Sequence, residues 1–114
     1  MSYHKYGAKK TTIDGITFDS KREATRYSNL CLLERAGAIT DLELQPKFEL
    51  QPSFRDADGK HQRTIYYIAD FAYDEPGCDR RIVEDVKGVE TAVFKLKKKL
   101  FLFTHPDYEL RIVK

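Results

Sequence analysis

Three acidic residues and a lysine are placed in this sequence where they could bind a divalent cation beside a phosphate group. Asp70 closes the β-rich run that begins at Tyr66, and Asp85-Val86-Lys87 lies in a second β-rich run. Glu23 lies upstream of both, on a predicted helix. Carboxylate oxygens are the ligands that Mg²⁺ prefers, and a lysine two residues beyond one of them shares its face of a strand. The pattern therefore predicts metal-dependent cutting of a phosphodiester bond.

Strand geometry decides which acids can act together. Side chains at i and i+2 of a strand share a face, so Asp85 points with Lys87 and away from Glu84. If residues 64–73 and 80–87 pair as a hairpin, Asp70 approaches Asp85 on an otherwise apolar face. Two such carboxylates repel each other and resist desolvation, and a cation would relieve both penalties. Each acid alone is more simply an ordinary edge or turn residue, but the combination favours a single site.

The first predicted helix carries the third acid. Asp19 or Ser20 can cap its start by accepting from free backbone N–H groups, and the helix runs to about Ala36, where Gly37 ends it. At about 100° per residue, Glu23 falls within the apolar arc of this helix. The other members of that arc are Ala24, Tyr27, Leu30, Cys31 and Leu33. Glu23 is therefore expected on the core side of the helix.

A second helix is predicted over roughly Glu90 to Phe103, after Gly88 closes the preceding strand. Lys97 falls inside its apolar arc, where either its stem covers apolar surface or its ammonium reaches the carboxylates or the scissile phosphate. The expected buried arc contains Val93, Phe94, Leu96, Leu100, Phe101 and Phe103. Outside this arc lies a basic face made of Lys95, Lys98 and Lys99. This face is either solvated or in contact with a phosphate backbone.

The remaining strands complete an α/β domain. Asp14-Gly15 between apolar positions is typical of a tight hairpin turn. Ile39 to Leu50, which Pro46 interrupts, is predicted to form a bent or an edge strand. Residues 52–62 are predicted to form a polar turn, and Tyr108 to Val113 a final strand. The predicted order of the main elements is helix, three strands, helix, strand.

Length and composition indicate one domain. A chain of 114 residues can bury one core but not two, and we assign residues 1–12 to a flexible basic arm and 13–114 to the domain. No apolar run approaches the roughly 18 residues of a membrane span, and Met1 to Lys10 lacks the apolar segment of a secretory signal. We therefore expect no membrane partner and a cytoplasmic location. A net charge of +2 excludes binding of nucleic acid by bulk charge alone.

The site residues also carry a resemblance to a known superfamily. Glu23 on the first helix, Asp70 in the run 67–71, and Asp85 with Lys87 in the run 84–88 resemble the motifs of the PD-(D/E)XK nucleases. The predicted order of elements matches the common core of that superfamily. Ala69 stands where its name has a proline.

A closer resemblance rests on three short segments, residues 18–24, 44–48 and 84–88. They look like a family of small phage and prophage endonuclease-like proteins that has been likened to Holliday-junction resolvases. The resemblance covers about residues 5 to 113. It implies a restriction-endonuclease-like core around a central mixed sheet, in a protein of the bacterial host cell.

The resemblance further implies a division of roles among the site residues. Asp70 and Asp85 would bind Mg²⁺, with Mn²⁺ able to substitute, and Glu23 would complete the metal shell. Lys87 would polarise the attacking water or the phosphate, and Lys97 would be an auxiliary residue from the second helix.

These observations predict a Mg²⁺-dependent DNA endonuclease acting on branched or recombining DNA. A homodimer is expected because one small site cuts one strand and paired nicks need two. The alternative is a nucleic-acid-binding or phage accessory module that keeps the fold without turnover.

Overall fold

The computed structural model describes residues 10–114. Most of the basic arm predicted over residues 1–12 lies outside this part of the chain. Thr11 and Thr12, which were assigned to the arm, instead begin the first strand, β1 (Thr11–Ile13). It pairs with β2 (Ile16–Phe18) in an antiparallel hairpin, as predicted. Asp14 and Gly15 at the turn have φ angles of 53° and 76°, the left-handed pair that a tight hairpin turn of matching twist requires.

Helix α1 (Lys21–Arg35) follows the hairpin directly. The Ser20 side chain accepts a hydrogen bond from the Glu23 backbone N–H at 3.1 Å, which confirms a predicted cap. Glu23 is buried on the core side of α1, also as predicted. Leu33 was wrongly placed in the buried arc: the buried face of α1 ends at Leu30, and the Leu33 side chain is 36% exposed.

The central element is a four-stranded mixed sheet. Its strands are β3 (Thr40–Leu44), β8 (Phe71–Asp74), β9 (Arg81–Val86) and β10 (Tyr108–Val113), in the spatial order β10-β9-β8-β3. Strands β3, β8 and β9 pair in antiparallel fashion, whereas β9 and β10 are parallel. A parallel connection must cross the sheet, and helix α2 (Ala92–Thr104) provides the crossover. The protein is thus a mixed α/β structure.

Two long strands bend at the same level of the structure. The first breaks at Gln45-Pro46, between β3 and β4 (Lys47–Gln51), and the second breaks at Ala69-Asp70, between β7 (Ile65–Ile68) and β8. The Gln45 N–H donates to the Asp70 carbonyl at 2.9 Å, and the Ala69 N–H donates to the Pro46 carbonyl at 3.1 Å. The bend predicted at Pro46 is confirmed.

The second bend corrects two expectations for the site. Asp70 lies in the bend and not inside a continuous strand. Strand alternation therefore does not pass through it, and Ile68, which was expected to share an apolar face with Asp70, is 55% exposed. The bend has a functional consequence, because it turns the Asp70 side chain toward the end of β9.

The segment predicted to be a polar turn contains a small hairpin of its own. Strands β5 (Phe54–Arg55) and β6 (His61–Gln62) pair in antiparallel fashion. The Asp56 carboxylate accepts hydrogen bonds from the backbone N–H groups of Asp58 and Lys60 at 3.0 and 2.9 Å. This hairpin forms a sheet separate from the central one.

Two hydrophobic clusters cover the two faces of the sheet. The cluster on the α1 side includes Leu30, Phe71 and Ile82, and the cluster on the α2 side includes Val83 and Phe101. The burial predicted for α2 was only partly right. Phe94 and Phe101 are buried and Leu100 is half-buried, but the residues that are mostly exposed are Val93, Leu96 and Phe103. Helix α2 packs on the ribbon of β4 and β7 with one side only, and its other apolar side faces solvent.

Across residues 10–114, neither helix has the length and apolar character needed to cross a lipid bilayer.

Candidate metal and phosphate site

The bend before β8 sets the position of Asp70 against the neighbouring strand. The Asp70 N–H donates to the Glu84 carbonyl at 3.2 Å. In return, the Val86 N–H donates to Asp70 Oδ2 at 2.7 Å. The backbone of β9 therefore holds both ends of Asp70, and its carboxylate lies at the end of the strand that carries Asp85.

Asp85 is the more deeply buried of the two aspartates, with 1% of its surface exposed. Its Oδ2 accepts a hydrogen bond from the Tyr67 hydroxyl at 2.5 Å. Its Oδ1 has no hydrogen-bond partner among residues 10–114, although the Lys87 ammonium lies 3.4 Å away. A buried carboxylate oxygen without a hydrogen bond is uncommon in proteins.

Lys87 shares the face of Asp85, as the strand alternation predicted. Its ammonium also lies 4.8 Å above the centre of the Phe94 ring, on the first turn of α2. The Lys87 N–H donates to the Val113 carbonyl at 2.9 Å, which continues the pairing of β9 and β10 past Val86. About a third of the Lys87 side chain remains exposed, so the ammonium is within reach of an anionic ligand.

Burial and the neighbouring carboxylates change the acidity of Asp70. Burial is the largest cause, and interaction with the Asp85 carboxylate is the next; together they raise the pKa of Asp70 to about 8. The hydrogen bond from the Val86 N–H opposes this shift. A bound cation would oppose this rise in the pKa of Asp70, because a nearby positive charge favours the ionised carboxylate.

Glu23 reaches the same cluster from α1, although it is only 7% exposed. Burial raises the pKa of Glu23, and the charges of Asp19 and Asp85 raise it further, whereas the Lys87 ammonium lowers it. A side-chain interaction with Asp70 also lowers the pKa of Glu23. These interactions bring the four predicted residues into one electrostatic cluster, made of Glu23, Asp70, Asp85 and Lys87.

The oxygen donors of this cluster suit Mg²⁺ or Mn²⁺ in chemical type. Within residues 10–114, no three His, Cys, Asp or Glu side chains lie close enough together to hold a metal ion as a set. Asp85 Oδ1, which lacks a hydrogen bond, and the Asp70 carboxyl, whose pKa is raised, are nevertheless the two oxygen groups that a cation would satisfy. The pair fits a cation bound through two carboxylates, with its other positions left to water or phosphate, as Mg²⁺ commonly requires.

The contact between Tyr67 and Asp85 was not predicted from the sequence. The Tyr67 ring packs 5.3 Å from the centre of the Phe101 ring, in the cluster on the α2 side. Burial first, and then the Asp85 charge, raise the pKa of the Tyr67 hydroxyl, so it stays a hydrogen-bond donor. The available signal was chemical, because a buried tyrosine hydroxyl needs a partner and a nearby carboxylate is the strongest acceptor.

A second buried network lies on the opposite face of β9, where the sequence excluded Glu84 as a ligand. Glu84 is fully buried and accepts two hydrogen bonds from the Arg26 guanidinium, at 2.7 and 2.8 Å. The Tyr73 hydroxyl donates to the same carboxylate at 2.9 Å. Burial, followed by the Glu84 charge, raises the pKa of Tyr73 to about 12. This network fastens α1 to the sheet and leaves Asp85 to the other face.

The lysines of α2 occupy two different environments. Lys97 is half-buried, between the buried and the exposed apolar sides of the helix, and no ion pair links it to another residue in the described part of the chain. Lys98 pairs with Glu90 at 3.6 Å. Together with Lys95 and Lys99 it borders a shallow groove on the outer side of α2.

Comparison with known proteins places the chain in a family. The profile of a family described as "Protein of unknown function (DUF1064)" matches residues 3–114. The chain belongs to this family. Neither the curated proteins nor the solved structures contain a significant match.

Proposed function

We propose that this DUF1064 protein is a Mg²⁺-dependent endonuclease that hydrolyses phosphodiester bonds in branched or recombining DNA of phage or prophage. The observation that carries the proposal is the arrangement at the ends of β8 and β9. There, a buried Asp85 oxygen without a hydrogen bond lies beside Asp70 and 3.4 Å from the Lys87 ammonium. A divalent cation and a phosphate are the ligands that such a group would bind.

The order of elements supports the proposed membership in the PD-(D/E)XK superfamily. Helix α1 is followed by β3, β8 and β9 of the central sheet, then by α2 and β10. With β4 to β7 left aside, this order agrees with the helix, three-strand, helix, strand order expected of a restriction-endonuclease-like core around a mixed sheet. The proposed site lies on the second and third of those strands.

Each residue of the cluster has a distinct role in the proposed reaction. Asp70 and Asp85 would hold the cation, and Glu23 would complete its shell. A bound Mg²⁺ would neutralise charge on the phosphate and lower the pKa of a water molecule. Tyr67 and the Val86 N–H fix the orientation of the two aspartates, since partners of metal ligands keep those ligands in place.

The lysines act on the substrate. Lys87 stabilises the negative charge that develops on the phosphate, because a fixed cation in a partly buried site interacts strongly with such charge. Lys97 is the auxiliary residue of α2 in this proposal, and Lys95, Lys98 and Lys99 contact the phosphate backbone.

The proposal is tested by incubating the protein with labelled four-way junction, flap and linear duplex DNA in Mg²⁺, Mn²⁺ and EDTA. The matched variants are Asp85→Asn, which removes one charge at the site, and Asp58→Asn, which removes one charge at the separate β5–β6 hairpin. Cleavage should require the metal, disappear in Asp85→Asn and persist in Asp58→Asn. Absence of cleavage of every substrate by the wild-type protein would contradict the proposal.

Metal binding has its own readout. A ligand that binds only the folded state raises the unfolding free energy by about 2.7 kcal/mol at 100 times its Kd. Mn²⁺ should therefore raise the melting temperature of the wild-type protein but not that of Asp85→Asn.

A non-catalytic nucleic-acid-binding module is the second candidate, and the lack of a complete three-ligand cage within residues 10–114 favours it. Tight, metal-independent binding of the labelled substrates without any cutting would support this module. The proposed enzyme acts in the cytoplasm of the bacterial host. It acts as a homodimer because paired nicks need two sites, and sedimentation analysis of the protein with and without junction DNA tests this expectation.

A further inference from the structure

A second surface, bordered by basic side chains, lies beside the candidate site and is not used by it. A groove of about 470 Å³ runs between α1 and the end of β10. The α1 side of the groove contains Lys21, Arg22, Thr25, Arg26 and Asn29, and Lys114 lies across from them. On a helix these five α1 positions occupy adjoining rows. We call this surface the α1 groove.

The α1 groove carries positive charge that the protein itself leaves mostly uncompensated. Lys21 and Arg22 form no ion pair with any residue from 10 to 114. Lys114 lies 4.0 Å from Glu90, at the limit of an ion pair, and is 75% exposed. Arg26 alone is firmly paired, with the buried Glu84. The groove therefore presents at least two free cations to a ligand.

The uncharged residues of the groove also suit a ligand that carries phosphate groups. Thr25 and Asn29 are exposed and lie one turn apart on α1. Hydroxyl and amide groups next to arginine and lysine are the donors that proteins use to contact phosphate oxygens of nucleic acids. A groove of this size also exceeds what a single phosphate ion needs, and suits a stretch of backbone.

The α1 groove adjoins the carboxylate cluster through two neighbouring contacts. Gly88 directly follows Lys87, and the Arg22 guanidinium packs against it, with Nη1 only 3.0 Å from where a side-chain carbon on Gly88 would lie. On α1 itself, Glu23 points into the cluster while its neighbour Arg22 lines the groove. A strand of DNA that crosses the cluster therefore meets the groove next.

We propose that the α1 groove binds the phosphate backbone of the DNA strand that passes through the carboxylate cluster. This inference rests on the proposed nuclease function for the identity of the strand, but its binding chemistry belongs to the groove. Lys21 and Arg22 contact phosphates directly, and Thr25 and Asn29 donate hydrogen bonds to the same backbone. The groove would hold the substrate in register, while the cluster performs the hydrolysis.

The test is the binding of fluorescein-labelled four-way junction and duplex DNA, measured by fluorescence anisotropy in EDTA and in Ca²⁺ over a range of salt concentrations. The variant is Lys21→Gln with Arg22→Gln. The matched control is Lys60→Gln with Arg63→Gln, which removes two exposed charges from the segment around β6. Circular dichroism melting of each protein establishes that the variants are folded.

The groove variant should bind DNA more weakly than the control. The slope of log K against log salt should fall by about 2, because each phosphate contact contributes about 0.9 to that slope. Thr25→Val with Asn29→Leu, which changes no charge, should weaken binding without changing the slope. Equal binding by the groove variant and the control, or no DNA binding by the wild-type protein, would overturn the inference.

These measurements separate the inference from the proposed function. If the wild-type protein cleaves DNA but the groove variant binds DNA as tightly as the control, the proposed role of the groove is wrong and the proposed nuclease function stands. If DNA binding depends on the groove but the protein cleaves no substrate, the proposed role of the groove stands and the proposed nuclease function is wrong.

Discussion

The Tyr67 hydroxyl donates a hydrogen bond to Asp85 Oδ2 from a strand that belongs to a different sheet. Tyr67 is on β7, in the ribbon that packs on α2, whereas Asp85 is on β9 of the central sheet. The bend at Ala69-Asp70 makes this contact possible, because it carries the chain from one sheet to the other. This hydrogen bond therefore links the aromatic cluster under α2 directly to the acidic cluster.

Replacing Tyr67 with phenylalanine should weaken both the fold and the metal site. Asp85 Oδ2 would lose the hydrogen bond that it accepts from the Tyr67 hydroxyl, and an unsatisfied buried acceptor costs about 1–3 kcal/mol. Urea unfolding in EDTA should show a loss of unfolding free energy in this range. Mn²⁺ affinity measured by calorimetry should fall by about 10–100-fold. Tyr66→Phe, at an exposed neighbouring position, is the control, and equal behaviour of the two variants would contradict the assigned contact.

Replacing Lys87 with alanine should separate metal binding from cleavage. The ammonium is assigned to the phosphate and not to the cation, so Mn²⁺ binding should persist. Loss of one group that stabilises developing charge typically lowers the rate by about 10²–10³-fold. Single-turnover cleavage of the best substrate measures the rate, and calorimetry measures Mn²⁺ binding. Loss of both to the same extent would contradict the role given to Lys87.

The raised pKa of Asp70 predicts how stability changes with pH when metal is absent. The folded-state pKa of about 8 lies above the ordinary value near 3.9, so the unfolded chain releases this proton first as pH rises. The contribution is fully present below about pH 4 and is lost as pH rises through about 8. The unfolding free energy of the wild-type protein in EDTA should therefore decline over this range.

Asp70→Asn is the matched variant for the pH experiment, because its side chain carries no titrating proton. The decline should be smaller in this variant, and Mg²⁺ added at about pH 8 should restore stability to the wild-type protein only. Denaturant midpoints measured at several pH values provide the comparison. Parallel pH profiles for the two proteins would show that Asp70 does not hold a proton in the folded state.

Breaking the pair between Arg26 and Glu84 should destabilise the fold strongly. Arg26→Met would leave the buried Glu84 carboxylate without its cation, which costs about 3–5 kcal/mol at buried sites. The lower end is expected because the Arg26 side chain is 27% exposed. Lys98→Met, which breaks the half-buried surface pair with Glu90, should cost less than about 1 kcal/mol. Similar losses in the two urea titrations would contradict the structural role of the buried pair.

Local patterns in the sequence predicted those elements that local chemistry determines. Asp14-Gly15 favours a tight turn by itself, and Ser20 caps α1 through its own side chain. Strands β9 and β10 have the lengths that the sequence predicted. The pairing of Asp85 with Lys87 on one face follows from the same alternation, and the structure places them together.

Features that depend on what packs against an element were not predictable in this way. Leu96 and Phe103 have the same apolar character as Phe94, and only the position of the β4–β7 ribbon decides which of them is buried. Asp70 lies in a bend because of contacts with Gln45 and Pro46, residues far away in the sequence. The buried negative charge of Glu84 is likewise neutralised by Arg26, which lies on a different element, α1.

The backbone of Lys87 is fixed by Val113 in the last strand of the sheet. During synthesis on the ribosome, Lys87 therefore gains this backbone contact only after α2 has crossed over and β10 has docked. An incomplete chain would carry the carboxylates and the lysine without this contact. In the proposed nuclease, this order of folding would delay cutting until the whole domain has formed.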